Sequence, residues 1–274
     1  MKFKTCLNLF FMYAEHHKSL LPRYEEARKS GFEAVSVPLL IYDYSIEELK
    51  KAKEDAYVEQ MLITSPTNTK VGLLNGYAAI PGQEQEFCAS IQKAVEYARA
   101  LKCPYVHVIA GVVESPTPKH DEVYVKNLRH AISVFEKENI TAIIEPICEH
   151  AMPNYYMNCF KKAMKVMEEI NSPRLKLQLD IYHLQSIHGD LTHYIKCCLP
   201  RTAIVQVAQV PHRHEPDIMG EVDFHYVFKL LKELKYSGYI SLHQDPAKGS
   251  DEGLEFLRNG TFEELEPLCR RKNN

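Results

Sequence analysis

Short apolar runs rich in β-branched residues alternate along this chain with longer amphipathic stretches, and that rhythm restricts the fold more than any single motif. FKTCLNL (3–9), AVSVPLL (34–40), MLIT (61–64), YVHVIAG (105–111), TAIIE (141–145), LKLQLD (175–180), AIVQVAQV (203–210) and YISLH (239–243) read as buried strands. Between them lie helical patterns. Strict alternation implies parallel strands joined by crossover helices. Eight such units in 274 residues favour a closed (β/α)8 TIM barrel, for which ~250 residues is typical, over an open doubly wound sheet. Neither G-x-G-x-x-G nor a Walker-type glycine loop is present to mark a nucleotide site.

The helices carry their own punctuation. Pro22 suits the first turn of LLPRYEEARKSGF, and Gly31 follows its end. Ser45 with Glu48 three residues later forms a capping box before IEELKKAKEDA. A loop holding Gly72, Gly76 and Gly82 precedes EQEFCASIQKAVEYARAL, and residues 121–138 place Val125, Leu128, Ile132 and Phe135 on one face. CFKKAMKVMEEI ends at Asn171-Ser172-Pro173. LTHYIKCC, FHYVFKLLKEL and GLEFLRN complete a count of eight helices. The expected organisation is one barrel over residues 1–265 and a polar tail over 266–274.

Charge and cysteine usage exclude several classes of partner. A formal charge of −3 with basic and acidic residues intermixed suggests neither nucleic acid nor a membrane surface. The eight cysteines (6, 88, 103, 148, 159, 197, 198 and 269) show no Cys-x-x-Cys pair, so they read as reduced thiols of a cytosolic protein. CLNLFFMYA after Lys2 and Lys4 imitates a secretory signal, but Asn8 interrupts the run and no small-residue cleavage site follows. No stretch approaches the ~18 apolar residues of a membrane span. Self-association to a homo-oligomer is left open.

The strand ends hold the chemistry. In barrels of this class, active sites lie at the carboxyl ends of the strands. Glu145, Asp180, Gln206 and His243 each close a strand run, about 30 residues apart. One strand-end carboxylate alone more often caps a loop. Four donors on consecutive strands point to a shared metal or acid/base site instead. Two carboxylates, an amide oxygen and an imidazole suit magnesium, manganese or zinc. His183 in DIYH is equally a loop histidine when taken alone, and His212 and His214 lack a third ligand. Arg213 beside the mouth could grip a carboxylate substrate in bidentate fashion.

The segments YDYSIEELK (42–50), AIPGQEQEF (79–87), KNLRHA (126–131), IEPI (144–147), LDIYHLQ (179–185), VQVAQVPHRHEP (205–216) and GEVDF (220–224) resemble the hydroxypyruvate isomerase family of xylose-isomerase-like barrels. The likeness runs in order from about residue 3 to 260. It implies interconversion of hydroxypyruvate, a small hydroxy-keto acid, with tartronate semialdehyde through a cis-enediolate. Two family glutamates on strands five and eight are expected to move the proton, with a divalent magnesium or manganese ion beside them. The resemblance puts Glu145 at the first glutamate, Asp180 and Gln206 at metal positions, and His183, Arg213 and Glu221 at substrate-side or supporting positions. The second glutamate is replaced by His243, which leaves Glu145 and His243 as the expected catalytic pair and His243 as the fourth metal position. Cys6, Ser36, Thr64 and Val112 also stand where the family commonly has asparagine, glutamate, asparagine and a basic residue. These changes keep two alternatives open: a catalytically impaired barrel that binds a small acid, and a related keto-sugar epimerase. A repair endonuclease on the same barrel is disfavoured by the lack of a basic groove.

Overall fold

The computed structural model describes residues 2–68 and 76–268. Gly72, Cys269 and the rest of the expected tail beyond residue 268 lie outside them. Eight parallel strands close into a barrel in sequence order: β1 (Thr5–Asn8), β2 (Ala34–Val37), β3 (Glu59–Thr64), β4 (Tyr105–His107), β5 (Thr141–Ile144), β6 (Leu175–Asp180), β7 (Thr202–Val207) and β8 (Tyr239–Leu242). Closure is made by β1 against β8, with Thr5 beside Ile240 and Cys6 beside Ser241.

Nine α-helices occur among the described residues: α1 (Leu21–Lys29), α2 (Ile46–Asp55), α3 (Glu84–Leu101), α4 (Pro118–Glu136), α5 (Phe160–Ile170), α6 (Ile181–Ile187), α7 (Leu191–Cys198), α8 (Phe224–Glu233) and α9 (Glu255–Arg258). Local signals explain several boundaries. Ser45 and Glu48 form the capping box of α2 in both directions, and Asn171 ends α5 in the left-handed conformation at φ 47°. The helix beyond the expected eight is α6. The Asp180 carboxylate accepts from the backbone N–H of Tyr182 at 2.8 Å and of His183 at 3.3 Å, so the last residue of β6 also caps a helix.

Strand periodicity of two divides the sheet into an outer and an inner face. The outer face packs on the helices through side chains such as Phe135, Phe160, Val227 and Phe228, all fully buried. Burying each such side chain contributes about 1.5–3 kcal/mol, which makes the barrel wall a rigid frame. Inside, Leu62, Ile143 and Ile204 from β3, β5 and β7 pack together. That is a layer drawn from alternate strands, and it floors the cavity above it.

Candidate active site

The same parity that turns Ile143, Gln178, Ile204 and Ser241 inward turns the residue two further on toward the axis at the carboxyl end. Those residues are Glu145, Asp180, Gln206 and His243. Register brings them level: Asp180 pairs with Gln206, and Gln206 with Ser241 just before the β8 end. A cavity of about 350 Å³ opens above them, within the range of small-molecule sites. Its walls mix Phe10, Phe11, Pro38, Leu39, Ile147 and Met152 with a polar floor that includes Glu145, His183, Gln206, Arg213 and His243.

Asp180 is the centre of the polar cluster. Arg213 Nη2 donates to its Oδ2 at 2.6 Å, while His243 Nδ1 lies 3.6 Å and His183 Nε2 3.8 Å from the same oxygen. Burial alone would raise its pKa. Arg213, with smaller help from the two histidines, instead holds the carboxyl well below the usual carboxylate range. Glu145 is in the opposite condition: burial, and then the Asp180 charge, push its pKa up to about 8. Two neighbouring carboxylates are thereby driven apart in basicity, which is the pattern of an acid/base site.

The imidazoles stay neutral. Burial lowers His183 to about 3, and burial followed by the Arg213 charge lowers His243 to about 4 against the opposing pull of Asp180. His183 Nδ1 accepts from the Cys148 backbone N–H at 3.3 Å. His243 Nδ1 lies 2.9 Å from Arg213 Nη2, so the ring accepts there and carries its proton on Nε2. Phe11 packs against the His243 ring at 5.5 Å between centroids.

The loop after β7 delivers Arg213. Its backbone is left-handed at φ 61° and is held by its N–H to Gln209 O at 2.8 Å and by Asp245 N–H to its own carbonyl at 2.8 Å. The guanidinium lies over Tyr182, 4.6 Å from the ring centroid, and also meets His183 Nε2 at 3.3 Å. Sequence alone places this arginine at the mouth; the fold carries it into the cluster.

Glu145, Asp180 and His183 each offer a ligand atom within 4.8 Å of the others' atoms, all three residues being buried. The amide end of Gln206 lies 3.2 Å from Glu145 Oε1, 3.2 Å from Asp180 Oδ2 and 2.9 Å from His243 Nδ1. With its nitrogen inward Gln206 donates to both carboxylates. With its oxygen inward it joins them as a further acceptor, and such convergence of acceptors fits a hard divalent cation. His183, expected on the substrate side, thus falls within the candidate ligand set, beside the expected Glu145, Asp180, Gln206 and His243. Glu221 is different: it is exposed, accepts from Gln185 Nε2 at 3.3 Å and does not line the cavity, because its loop folds back over Gln209. The expected substrate-side position for Glu221 is therefore not what the structure shows.

Two cavity residues escape sequence reading. His107 ends β4 with Nδ1 3.5 Å from Glu145 Oε2, and Asn8 ends β1 with Oδ1 accepting from Phe10 N–H at 2.9 Å. Both are buried, and neither His107 Nε2 nor Asn8 Nδ2 has a hydrogen-bond partner. The signal for His107 was present, since it stands two residues after the inward Tyr105 at a strand end.

A family model described as a xylose isomerase-like TIM barrel matches residues 24–260 of this chain. A Danio rerio protein named as a candidate hydroxypyruvate isomerase is 39% identical over 267 residues, covering 93% of this chain and 94% of its own. Hydroxypyruvate isomerase of Escherichia coli K12 is 32% identical over 254 residues, covering 91% and 96%. Among solved structures, one described as AP endonuclease, family 2, from Brucella melitensis superposes with a TM-score of 0.88 at 31% identity, covering 94% of this chain and 98% of that one.

Proposed function

This chain belongs to the xylose isomerase-like TIM barrel family, and from that premise we propose that it is an isomerase converting hydroxypyruvate to tartronate semialdehyde and back. What carries the reading is the meeting of two buried carboxylates, Glu145 and Asp180, with ligand atoms within 4.8 Å of each other beneath one cavity, the pKa of the first raised and that of the second lowered by their surroundings. The reaction moves one proton from C3 of hydroxypyruvate to C2, and with it the proton of the C3 hydroxyl passes to the C2 oxygen, so that C3 becomes the aldehyde and C2 bears the hydroxyl. Glu145, ionised, is the base that accepts the carbon-bound proton and the acid that gives it back, with the bond electrons held meanwhile as a cis-enediolate. A carboxylate whose pKa lies near neutrality serves both directions.

His243 stands where a second carboxylate would act. As a neutral ring with its proton on Nε2, it donates a hydrogen bond to the developing oxyanion, a role for which an uncharged imidazole is suited. Arg213 and His183 orient the substrate carboxylate at the β6–β7 side. Glu145, Asp180 and Gln206 would hold a divalent magnesium or manganese ion, while His183 and His243, whose Nδ1 atoms accept from Cys148 N–H and from Arg213, offer it no lone pair in that state. When bound, that ion supplies Lewis-acid stabilisation of substrate oxygens.

The endonuclease name of the Brucella structure is not carried over. A phosphate backbone calls for a basic groove, whereas this cavity is walled by Phe10, Phe11, Pro38 and Leu39, and its guanidinium is paired with Asp180. The seven described cysteines are free thiols, which supports a reducing cytosolic setting. No helix among the described residues is long and apolar enough to cross a membrane.

The decisive assay adds divalent ions one at a time to metal-stripped protein with hydroxypyruvate and follows the aldehyde product. Conversion that depends on magnesium or manganese is expected. No conversion with any of the ions would overturn the isomerase reading in favour of a binding barrel.

A further inference from the structure

The amide of Gln206 is pulled in two directions. One end of it lies 3.2 Å from Glu145 Oε1, 3.2 Å from Asp180 Oδ2 and 2.9 Å from His243 Nδ1, three groups that accept, and 3.0 Å from Gln178 Nε2, which donates. Gln178 stands on β6 two residues before Asp180 and shares its inward parity, and register sets it beside Ile204, two residues before Gln206 on β7. It is buried, and by hydrogen bonding its amide also favours the ionised form of Glu145. Its oxygen Oε1 is buried with no partner. Turning the amide round would aim that oxygen at the Glu145 carboxylate and leave two N–H donors buried in its place. The nitrogen of Gln178 is therefore the end that belongs in the cluster.

Two buried amides in contact must meet oxygen to nitrogen, since two nitrogens or two oxygens leave both unpaired. While Gln178 offers its nitrogen, Gln206 keeps its oxygen at the contact, and the same oxygen faces the two carboxylates. Without that donor, the three acceptors draw the Gln206 nitrogen in and the oxygen turns away. We propose that Gln178 is a positioning residue for the divalent-cation site, holding the carbonyl oxygen of Gln206 beside Glu145 and Asp180. A hard cation takes oxygen ligands, so the end of Gln206 that faces inward decides whether it has three protein oxygens or two. Neighbours that orient a ligand in this way commonly set metal affinity by 10- to 100-fold.

The inference rests on the cation assigned in the isomerase reading, and binding without substrate separates the two. Titration calorimetry of manganese into the intact, metal-stripped protein is expected to show Gln178→Met binding about 10-fold more weakly than wild type. Gln178→Asn keeps an amide but withdraws it by one methylene, and should weaken binding likewise. Gln206→Glu carries an oxygen at either end and needs no orienting, so adding Gln178→Met to it should change affinity by less than about threefold. A merely structural role would lower affinity equally in both backgrounds. Thermal melts establish that each variant is folded, and should Gln178→Met fail to fold, Gln178→Asn decides the matter in both backgrounds. Wild-type protein that takes up no manganese, unchanged affinity in a folded Gln178 variant, or an equal loss in the Gln206→Glu background overturns the positioning role. The expected affinities without any hydroxypyruvate turnover overturn only the isomerase reading.

Discussion

Asp180 answers two demands with one side chain: Oδ1 caps α6, and Oδ2 receives Arg213. Such a carboxylate tolerates no loss of its counter-charge. Arg213→Met should lower stability by about 3 kcal/mol, since removing one member of a buried pair strands the other. Because the Asp180 pKa is depressed, the stability it supplies is present above the unfolded value of about 4 and is lost as pH falls through the lower folded value. The deficit of the variant, measured by denaturant melts, should therefore be largest near neutrality and shrink in strong acid. Glu145→Gln should reduce turnover by about 10²–10⁴ with the fold intact. If one carboxylate both takes and returns the proton, hydroxypyruvate deuterated at C3 should yield tartronate semialdehyde carrying part of the label at C2. The second deuterium stays on C3 as the aldehyde hydrogen in either case, so product shown by mass spectrometry to carry only that one deuterium, with none at C2 at any stage of the reaction, would count against the single-base role.

The histidines add a pH effect of their own. His107 and His183 are lowered to about 3 and His243 to about 4, so the unfolded chain binds their protons first as pH drops below about 6.5. The stability from keeping them neutral is complete above that value and is lost through pH 4 to 3. Glu145, raised to about 8, works in the other direction: its share is complete below the ordinary carboxylate value and is lost as pH rises through 8. Metal-stripped protein should consequently be most stable between about pH 6 and 7, a maximum that melts across pH will locate.

At the scale of elements, the loop between β7 and α8 governs the site. Gln209 Oε1 accepts from the Val210 and Val222 N–H groups at 3.0 and 2.9 Å, and its Nε2 donates to Ile218 O and Val222 O at 3.1 and 3.0 Å. This buried amide ties both ends of the excursion that carries Arg213. Gly220 leaves room for it, because a Cβ there would stand 2.3 Å from Gln209 Cδ. Gly220→Ala should displace the brace, loosen Arg213 and raise KM for hydroxypyruvate several-fold. Unchanged kinetics would show that Arg213 is positioned without the brace. The cap of α2 is a simpler case, and Ser45→Ala should cost about 1 kcal/mol without altering kinetics.

For the whole molecule, closure of β8 onto β1 converts donors spread over about a hundred residues of chain into one cluster. A divalent cation held by Glu145, Asp180 and Gln206 would bind only the closed barrel, because these residues come from three separate strand ends. Manganese or magnesium at about 100 times its dissociation constant should then stabilise the native state by about 2.7 kcal/mol, seen as a raised Tm. Asp180→Asn should remove most of that shift.

The alternation of apolar runs and amphipathic stretches was enough to specify the barrel, because strand and helix periods and their caps are local properties. Strand-end position likewise picked out Glu145, Asp180, Gln206 and His243, since parity along a strand fixes which residues face the axis. The same rule applies to Asn8 and His107, which the sequence reading did not single out, and nothing local shows that a polar side chain lacks a partner. Nor does local pattern show that the β7–α8 loop turns Arg213 inward onto Asp180 and Glu221 outward to solvent. Those outcomes depend on side chains from distant strands competing for the same few ångströms, and only the closed tertiary structure decides which of them meet.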